Sequence, residues 1–139
     1  MPKKSEAYKD LIAGTGRRKT AVARVFLYDA KGEFTVNGKD IAEYFTSEKD
    51  QTNWVKPFHI IGVSHPKARF SASIKVYGSG KSAQLVAVMH GLSRALAQMD
   101  EEFKTILAKN GFLIRDPRMV ERKKPFLHKA RKRPQYSKR

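Results

Sequence analysis

Apolar and polar positions alternate along the first half of the chain, then fall into a helical period near residue 82. From Thr20 to Asp29, Ala21, Ala23, Val25 and Leu27 take one side and Val22, Arg24, Phe26 and Tyr28 the other, the two-residue period of a strand. Lys31-Gly32 predicts a turn. Glu33 to Asn37 then returns with Phe34 and Val36 together, which predicts a hairpin with the first strand. Asn37-Gly38 breaks the pattern. Asp40 is placed to cap a short helix over Ile41 to Phe45, and Ser47 another running to Trp54 and Val55. Lys56-Pro57 predicts its end, because a residue before proline avoids the helical region. The apolar run Phe58 to Val63 predicts a third strand. Ala68 to Tyr77 predicts a fourth, with Phe70, Ala72, Ile74 and Val76 inward and Arg69, Ser71, Ser73, Lys75 and Tyr77 outward.

From Ser82 the period changes. Leu85, Val88, Met89, Leu92, Leu96 and Met99 recur at three- and four-residue steps, one stripe of a helix that can cover the sheet. Asp100-Glu101-Glu102 opens a further helix, with Phe103, Ile106 and Leu107 on its apolar face and Lys109-Asn110-Gly111 as its stop. Phe112-Leu113-Ile114 is a last apolar anchor. The predicted class is α+β: a four-stranded, mainly antiparallel sheet covered on one face by helices, with a long basic C-terminal extension. Residues 1–10 read as a polar N-terminal extension, 11–114 as the globular body and 115–139 as the tail.

Charge sharpens this picture. The 139 residues carry a net charge of +16, and nine of those charges come from Lys and Arg between Arg122 and Arg139, where there is no Asp or Glu. Like charges this close repel, and Pro125 and Pro134 interrupt any helix. Only Phe126, Leu127, Ala130 and Tyr136 are apolar there, too few to offset the entropy of ordering the segment on its own body. The tail therefore stays disordered or orders on dense negative charge, such as a phosphate backbone. A second cationic group, Arg17-Arg18-Lys19, follows Gly14 and Gly16 just before the first strand; it reads equally as a solvated strand entry or a phosphate contact. There is no cysteine, which excludes disulfides and thiolate metal sites. No apolar run reaches the ~18 residues of a membrane span, and the N-terminus lacks a signal-peptide core.

Gly78-Ser79-Gly80-Lys81-Ser82 lies between a strand and a helix, so it is tested for phosphate-loop chemistry. A Walker loop needs glycine where Lys75 stands. Gly78, Gly80 and Ala83 satisfy a dinucleotide fingerprint, but a second helix follows where a parallel strand with an acidic end is required. The segment reads as a tight turn whose amides and Lys81 can hold an RNA phosphate. His59, His65, His90 and His128 show no ligand spacing, and His90 reads as a structural histidine within the helix. Asp100 to Glu102 are adjacent rather than convergent. No enzyme activity, cofactor, metal or small-molecule substrate is expected.

Four stretches carry a resemblance: Gly14 to Val25, Gly91 to Leu96, Arg115 to Pro125 and His128 to Arg139. Together they closely resemble the bacterial family of small-ribosomal-subunit protein nine, from about Tyr8 to the last residue. The resemblance implies the ribosomal protein S-five domain-2-like fold. It also implies a tail threaded through small-subunit rRNA in the head, beside neighbouring ribosomal proteins, with its tip at the peptidyl-site tRNA. Carried over by position, Arg17, Arg18 and Lys19 match the family's basic loop at the rRNA surface. Arg115, Arg118, Arg122, Lys123, Lys124, His128, Lys129, Arg131, Lys132 and Arg133 match its rRNA-binding tail. Lys138 and Arg139 match the tRNA-facing positions, with Tyr136 and Ser137 leading up to them. The family typically reads Gly-Gly-Gly-x-Ser-Gly-Gln-Ala-x-Ala-x-Arg-His-Gly where this chain has Gly78 to Gly91. Ala83 stands for a glycine and Met89 for an arginine, which leaves Lys81 as the cation for an rRNA contact at that helix start. The implied setting is a ribosome in the cytoplasm or in an organelle. The rival readings are a free basic regulator of nucleic acid, a membrane-surface peptide, which the prolines oppose, and a cofactor enzyme using Gly78 to Ala83.

Overall fold

A computed structural model describes residues 11–137. The elements run β1 (Leu11–Arg18), β2 (Ala21–Tyr28), β3 (Phe34–Val36), β4 (Lys39–Asp40), α1 (Ile41–Tyr44), α2 (Glu48–Trp54), α3 (Lys56–Ile60), α4 (Pro66–Arg69), β5 (Ser71–Tyr77), α5 (Lys81–Met99) and α6 (Glu101–Lys109). The strands form one five-stranded sheet in the order β1-β2-β5-β3-β4. β1–β2, β2–β5 and β3–β4 are antiparallel, and β3–β5 is parallel. Ala21, Ala23, Val25, Leu27, Ala72, Ile74 and Val76 are buried on the inner face, under α5, as their alternation predicts. At the far end Phe34, Trp54, Phe58 and Phe70 pack ring to ring, with centroids 5.0–5.6 Å apart along the chain of contacts Trp54–Phe34–Phe58–Phe70. Among the described residues no helix is long and apolar enough to cross a membrane.

The sheet departs from the expectation of four strands: Lys39–Asp40 adds the short edge strand β4 after Asn37-Gly38, and three further corrections concern the other strands. First, Gly14 and Gly16, expected to precede the first strand, lie within a strand of their own, β1. Gly14 and Gly16 face α5, and a Cβ on either would overlap the backbone carbonyl of Gly91 or Ala87. A Cβ on Gly91 would in turn lie 2.7 Å from Val25 Cγ2. Glycine is here for close approach rather than for turning. Ala87, Gly91 and Ala95, four residues apart, form a second, small-residue line of α5 pressed on β1, beside the larger stripe that periodicity reveals.

Second, β2 and β3 do not form a hairpin. Both edges of β2 are occupied, by β1 and β5, so the chain crosses the start of β5 and pairs on its far side. Gly32 makes the crossing, where a Cβ would come within 2.9 Å of Ser71 Cβ. Beyond the short β3, the Asn37 side chain continues the ladder, accepting from Val76 N at 2.9 Å and donating to Val76 O at 3.0 Å.

Third, Phe58 to Val63 is not a strand. Pro57 sits in the first turn of α3, where a missing N–H costs little. Trp54 and Phe58, four residues apart, both turn into the aromatic cluster. A short apolar run fits a strand and a buried helix equally, and ring packing selects the helix. Likewise Ala68 and Arg69 belong to α4, so β5 starts at Ser71. Asp40 Oδ1 accepts from Ala42 N at 2.9 Å as a true cap, whereas the Ser47 side chain makes no cap bond.

His90 ties three segments together. Arg17 N–H donates to its Nδ1 at 3.3 Å, and its Nε2 donates to Leu113 O at 3.2 Å, an arrangement that needs the neutral ring. Burial holds the imidazole below its ordinary value; the Leu113 carbonyl opposes this, and the charges of Arg94 and Arg115 reinforce it.

Gly16→Ala forces backbone apart and is expected to cost about 3 kcal/mol or more in urea unfolding. Gly80→Ser, at an open N-cap position, is expected to change stability by only a few tenths of a kcal/mol, about neutral or favourable. The unfolded chain protonates His90 near 6.5 while the folded ring resists, so stability is expected to decline as pH falls below that value. Unfolding free energies between about pH 7.5 and 5.5 should show this decline, and His90→Gln should flatten it.

Candidate nucleic-acid interface

The turn joining β1 to β2 and the root of the tail form one cationic knot. Lys19 adopts φ +51°, which closes the turn and leaves Arg17 and Lys19 exposed while Arg18 is partly buried. Arg18 Nη1 lies 2.5 Å from Asp116 Oδ2. The contact is a charge pair without aligned hydrogen-bond geometry. Asp116 also accepts from Arg118, at 3.0 Å from Nε, 2.8 Å from Nη2 and 3.0 Å from the backbone N. Arg115 Nη2 reaches Lys19 O at 3.4 Å. Hydrogen bonds from the Arg118 side chain and backbone, with the Arg18 guanidinium beside them, hold the Asp116 carboxyl far below the usual carboxylate range, and Asp116 raises Arg118 in return. The Arg118–Asp116 pair is exposed on its arginine side and adds little stability, while the Arg18–Asp116 pair is partly buried. Their effect is directional: they fix where the tail leaves the body.

The start of α5 lies beside this knot. Arg18, Lys19, Ser82, Ala83 and Val86 line a common depression. Gly78 and Ser79 take φ +84° and +49°, and a Cβ on Gly78 would overlap Thr20 O, so this turn packs against the β1–β2 turn. Gly80 caps α5 without a side-chain acceptor, leaving the first amides of the helix without a side-chain partner. Gln84 Nε2 donates to Gly78 O at 3.0 Å and Tyr44 Oη donates to Gln84 Oε1 at 2.6 Å, which braces the loop. Lys81 is exposed, with its ammonium 5.3 Å from the Tyr44 ring centroid. Ala83 is buried, and Met89 packs partly against the core.

From residue 110 to 137 the chain holds neither helix nor strand. Phe112 and Leu113 pack against the core, but Ile114 is exposed, so the apolar anchor is two residues long. Beyond it almost every described side chain is exposed. Glu121 gathers part of the tail, pairing with Lys124 at 2.5 Å and Arg131 at 2.9 Å. Lys124 first, then Arg131, lowers the Glu121 carboxyl. His128 N donates to Lys132 O at 2.9 Å and closes the loop. Arg122, Lys123, Lys129, Lys132 and Arg133 have no carboxylate partner among the described residues. Phe126, at φ +66° and 95% exposed, and Tyr136, 87% exposed, line an open groove with Arg122, Lys124 and Arg133. Such a surface offers a polyanion both cations and aromatic faces. Lys138 and Arg139, the expected tRNA-facing pair, lie outside the described residues.

The structure thus brings Arg17, Arg18, Lys19, Arg115 and Arg118 together at the tail root, places Lys81 apart against Tyr44, and strings the remaining cations along the tail. Residue-type reasoning passed over Asp116, Glu121 and the bridging role of His90. The signal for the acids was present, since Asp116 stands two residues from Arg118 and Glu121 three from Lys124 in a stretch otherwise cationic. Among the described residues no group of three His, Asp or Glu side chains is placed to hold a metal ion.

The sequence profile described as ribosomal protein S9/S16 matches residues 16–139. A small ribosomal subunit protein uS9 from Thermus thermophilus is 48% identical over 126 residues, covering 91% of this chain and 96% of the relative. Its counterpart from Borrelia hermsii is 46% identical over 130 residues, covering 94% and 93%. The matched span takes in the knot, the covering helix and the whole tail, and the chain belongs to the ribosomal protein S9/S16 family.

Proposed function

We propose that this chain is a structural, RNA-binding constituent of the small ribosomal subunit, bound there beside other ribosomal proteins and working in translation. Family membership supports the ribosomal role, and the relatives are named for that subunit. The observation that carries the RNA contact is the knot at the tail root. Asp116 and Arg115 hold the first tail residues against the β1–β2 turn, so Arg17 and Lys19 become continuous with a long exposed run of cations. A continuous cationic track suits a phosphate backbone, and counterion release supplies the affinity.

In this reading Arg17, Arg18, Lys19, Arg115 and Arg118 seat the body on folded rRNA, with Lys81 adding a contact at the start of α5. Arg122, Lys123, Lys124, His128, Lys129, Arg131, Lys132 and Arg133 run between crowded rRNA helices and offset their mutual repulsion. The tail tip then presents Lys138 and Arg139 to the peptidyl-site tRNA. Phosphate contacts position without reading sequence, so the tip serves every tRNA alike. Residues 11–114 act as the docking body, residues 115–139 as the reaching tail.

Deleting Lys138 and Arg139 is expected to weaken tRNA at the peptidyl site of reconstituted small subunits to a similar degree for different tRNAs. The slope of log affinity against log salt should shallow by at most about 2, for two lost phosphate contacts. Unchanged affinity and slope would contradict the tip contact. A truncated chain that cannot enter the subunit would assign the two residues to assembly instead.

A further inference from the structure

The sheet face turned away from α5 carries its own pattern. In one cross-strand row Thr15, Arg24 and Lys75 lie side by side on β1, β2 and β5; in the next lie Arg17, Val22 and Tyr77. Arg17, Arg24 and Lys75 are exposed, and Tyr77 is 61% exposed. Arg24 and Lys75 are direct partners on adjacent strands, about 4.8 Å apart in the backbone. Like charges directly opposite one another disfavour a sheet. Nothing local relieves them: β1, β2, β3 and β5 contain no Asp or Glu, and neither cation has a carboxylate partner among the described residues. The Arg24 guanidinium sits 5.8 Å from the Phe26 ring centroid, a contact that leaves its charge unneutralised. A fold that places two cations face to face without an acid gains from an anionic partner what it lacks alone.

We propose that this open face is a second RNA-docking surface, distinct from the tail. Arg24 and Lys75 take phosphates of one RNA segment, and Tyr77 offers its ring to an unpaired base beside them. Arg17 stands in the same row as Tyr77, at the end of the sheet that carries the β1–β2 turn, so the face is continuous with the cationic knot. The choice of RNA over an acidic protein rests on the aromatic ring set among cations, the combination that binds backbone and base together. The inference rests on the RNA-binding reading above and adds to it a surface, three residues and a mode of contact.

The test uses the full-length chain and naked small-subunit rRNA, titrated across a salt series. The double variant Arg24→Ser with Lys75→Ser should keep or slightly raise its urea midpoint, because an opposed pair is removed. Its rRNA affinity should fall, and its salt slope should shallow by roughly 1.4–1.8, at ~0.7–0.9 per phosphate. Tyr77→Ser should lose about fivefold or more in affinity with the slope unchanged. Lys19→Gln serves as the reference, expected to shallow the slope by about one contact. If Lys19→Gln acts and the sheet variants do not, the sheet face is not an RNA surface. If the double variant binds naked rRNA normally but fails to enter subunits assembled with the other proteins, the face docks protein, and the proposal is wrong. If the double variant is destabilised, the cations serve the fold and the argument from opposed charge fails. If the unaltered chain does not bind rRNA, the RNA-binding reading falls as well.

Discussion

The structure depends on one close contact, the backbone-to-backbone approach of α5 and β1. It exists because Gly14, Gly16 and Gly91 carry no Cβ at the three points where one would collide. Bringing the helix that near lets Ala87 and Ala95 seal the inner face with small side chains, while Leu85, Val88, Leu92 and Leu96 are buried in the core. It also brings His90 within reach of the Arg17 amide. Any side chain at Gly16 would separate the two elements and dissolve that bond along with the packing.

The chemistry at the tail root rests on this geometry. β1 ends in Arg17 and Arg18, so the depth at which β1 sits against α5 sets where those cations emerge. His90 then holds Leu113, Arg115 reaches the Lys19 carbonyl, and Asp116 engages Arg18. Three contacts in four residues convert a chain with no regular structure into one with a defined departure from the body. The two acids of the tail do not dilute its charge to any purpose of solubility. Asp116 aims the root, and Glu121 folds the middle into a loop. The remaining cations are left exposed along a track that starts at a rigid turn, a form of preorganisation that lowers the ordering cost of binding.

Much of this was legible in the residues. The two-residue period placed the inward faces of β2 and β5, and the three-and-four period found α5. In both cases large side chains carry the pattern. What stayed hidden was carried by small or ambiguous ones. Gly14 and Gly16 have no side chain to mark a strand, and their close approach gains a partner only once α5 is seen against them. Phe58 to Val63 has no period that separates a strand from a helical turn; only the rings of Phe34, Trp54 and Phe70 decide it. Glu33 to Asn37 is a strand as expected in its core, but its partner is chosen by β5, which the chain has not yet made when β3 is read. The tail was visible as charge, and the resemblance to a ribosomal family was visible in its ending. The knot that directs it was not, because Arg18 and Asp116 lie far apart in sequence.

In the proposed arrangement, a body seated by its basic turn and a tail departing from it engage one RNA surface, with the tail end at the tRNA. The chain has no cysteine of its own, so single cysteines at Ser82 and Ser137 can each carry a tethered iron chelate that cuts nearby nucleic acid. Assembled into small subunits with tRNA in the peptidyl site, the probe at Ser82 is expected to cut small-subunit rRNA alone. The probe at Ser137 is expected to cut both rRNA and the tRNA. Cleavage of rRNA from Ser82 with no cleavage of either molecule from Ser137 would contradict the account, since the tail would then lie away from the RNA that its charge is held to meet.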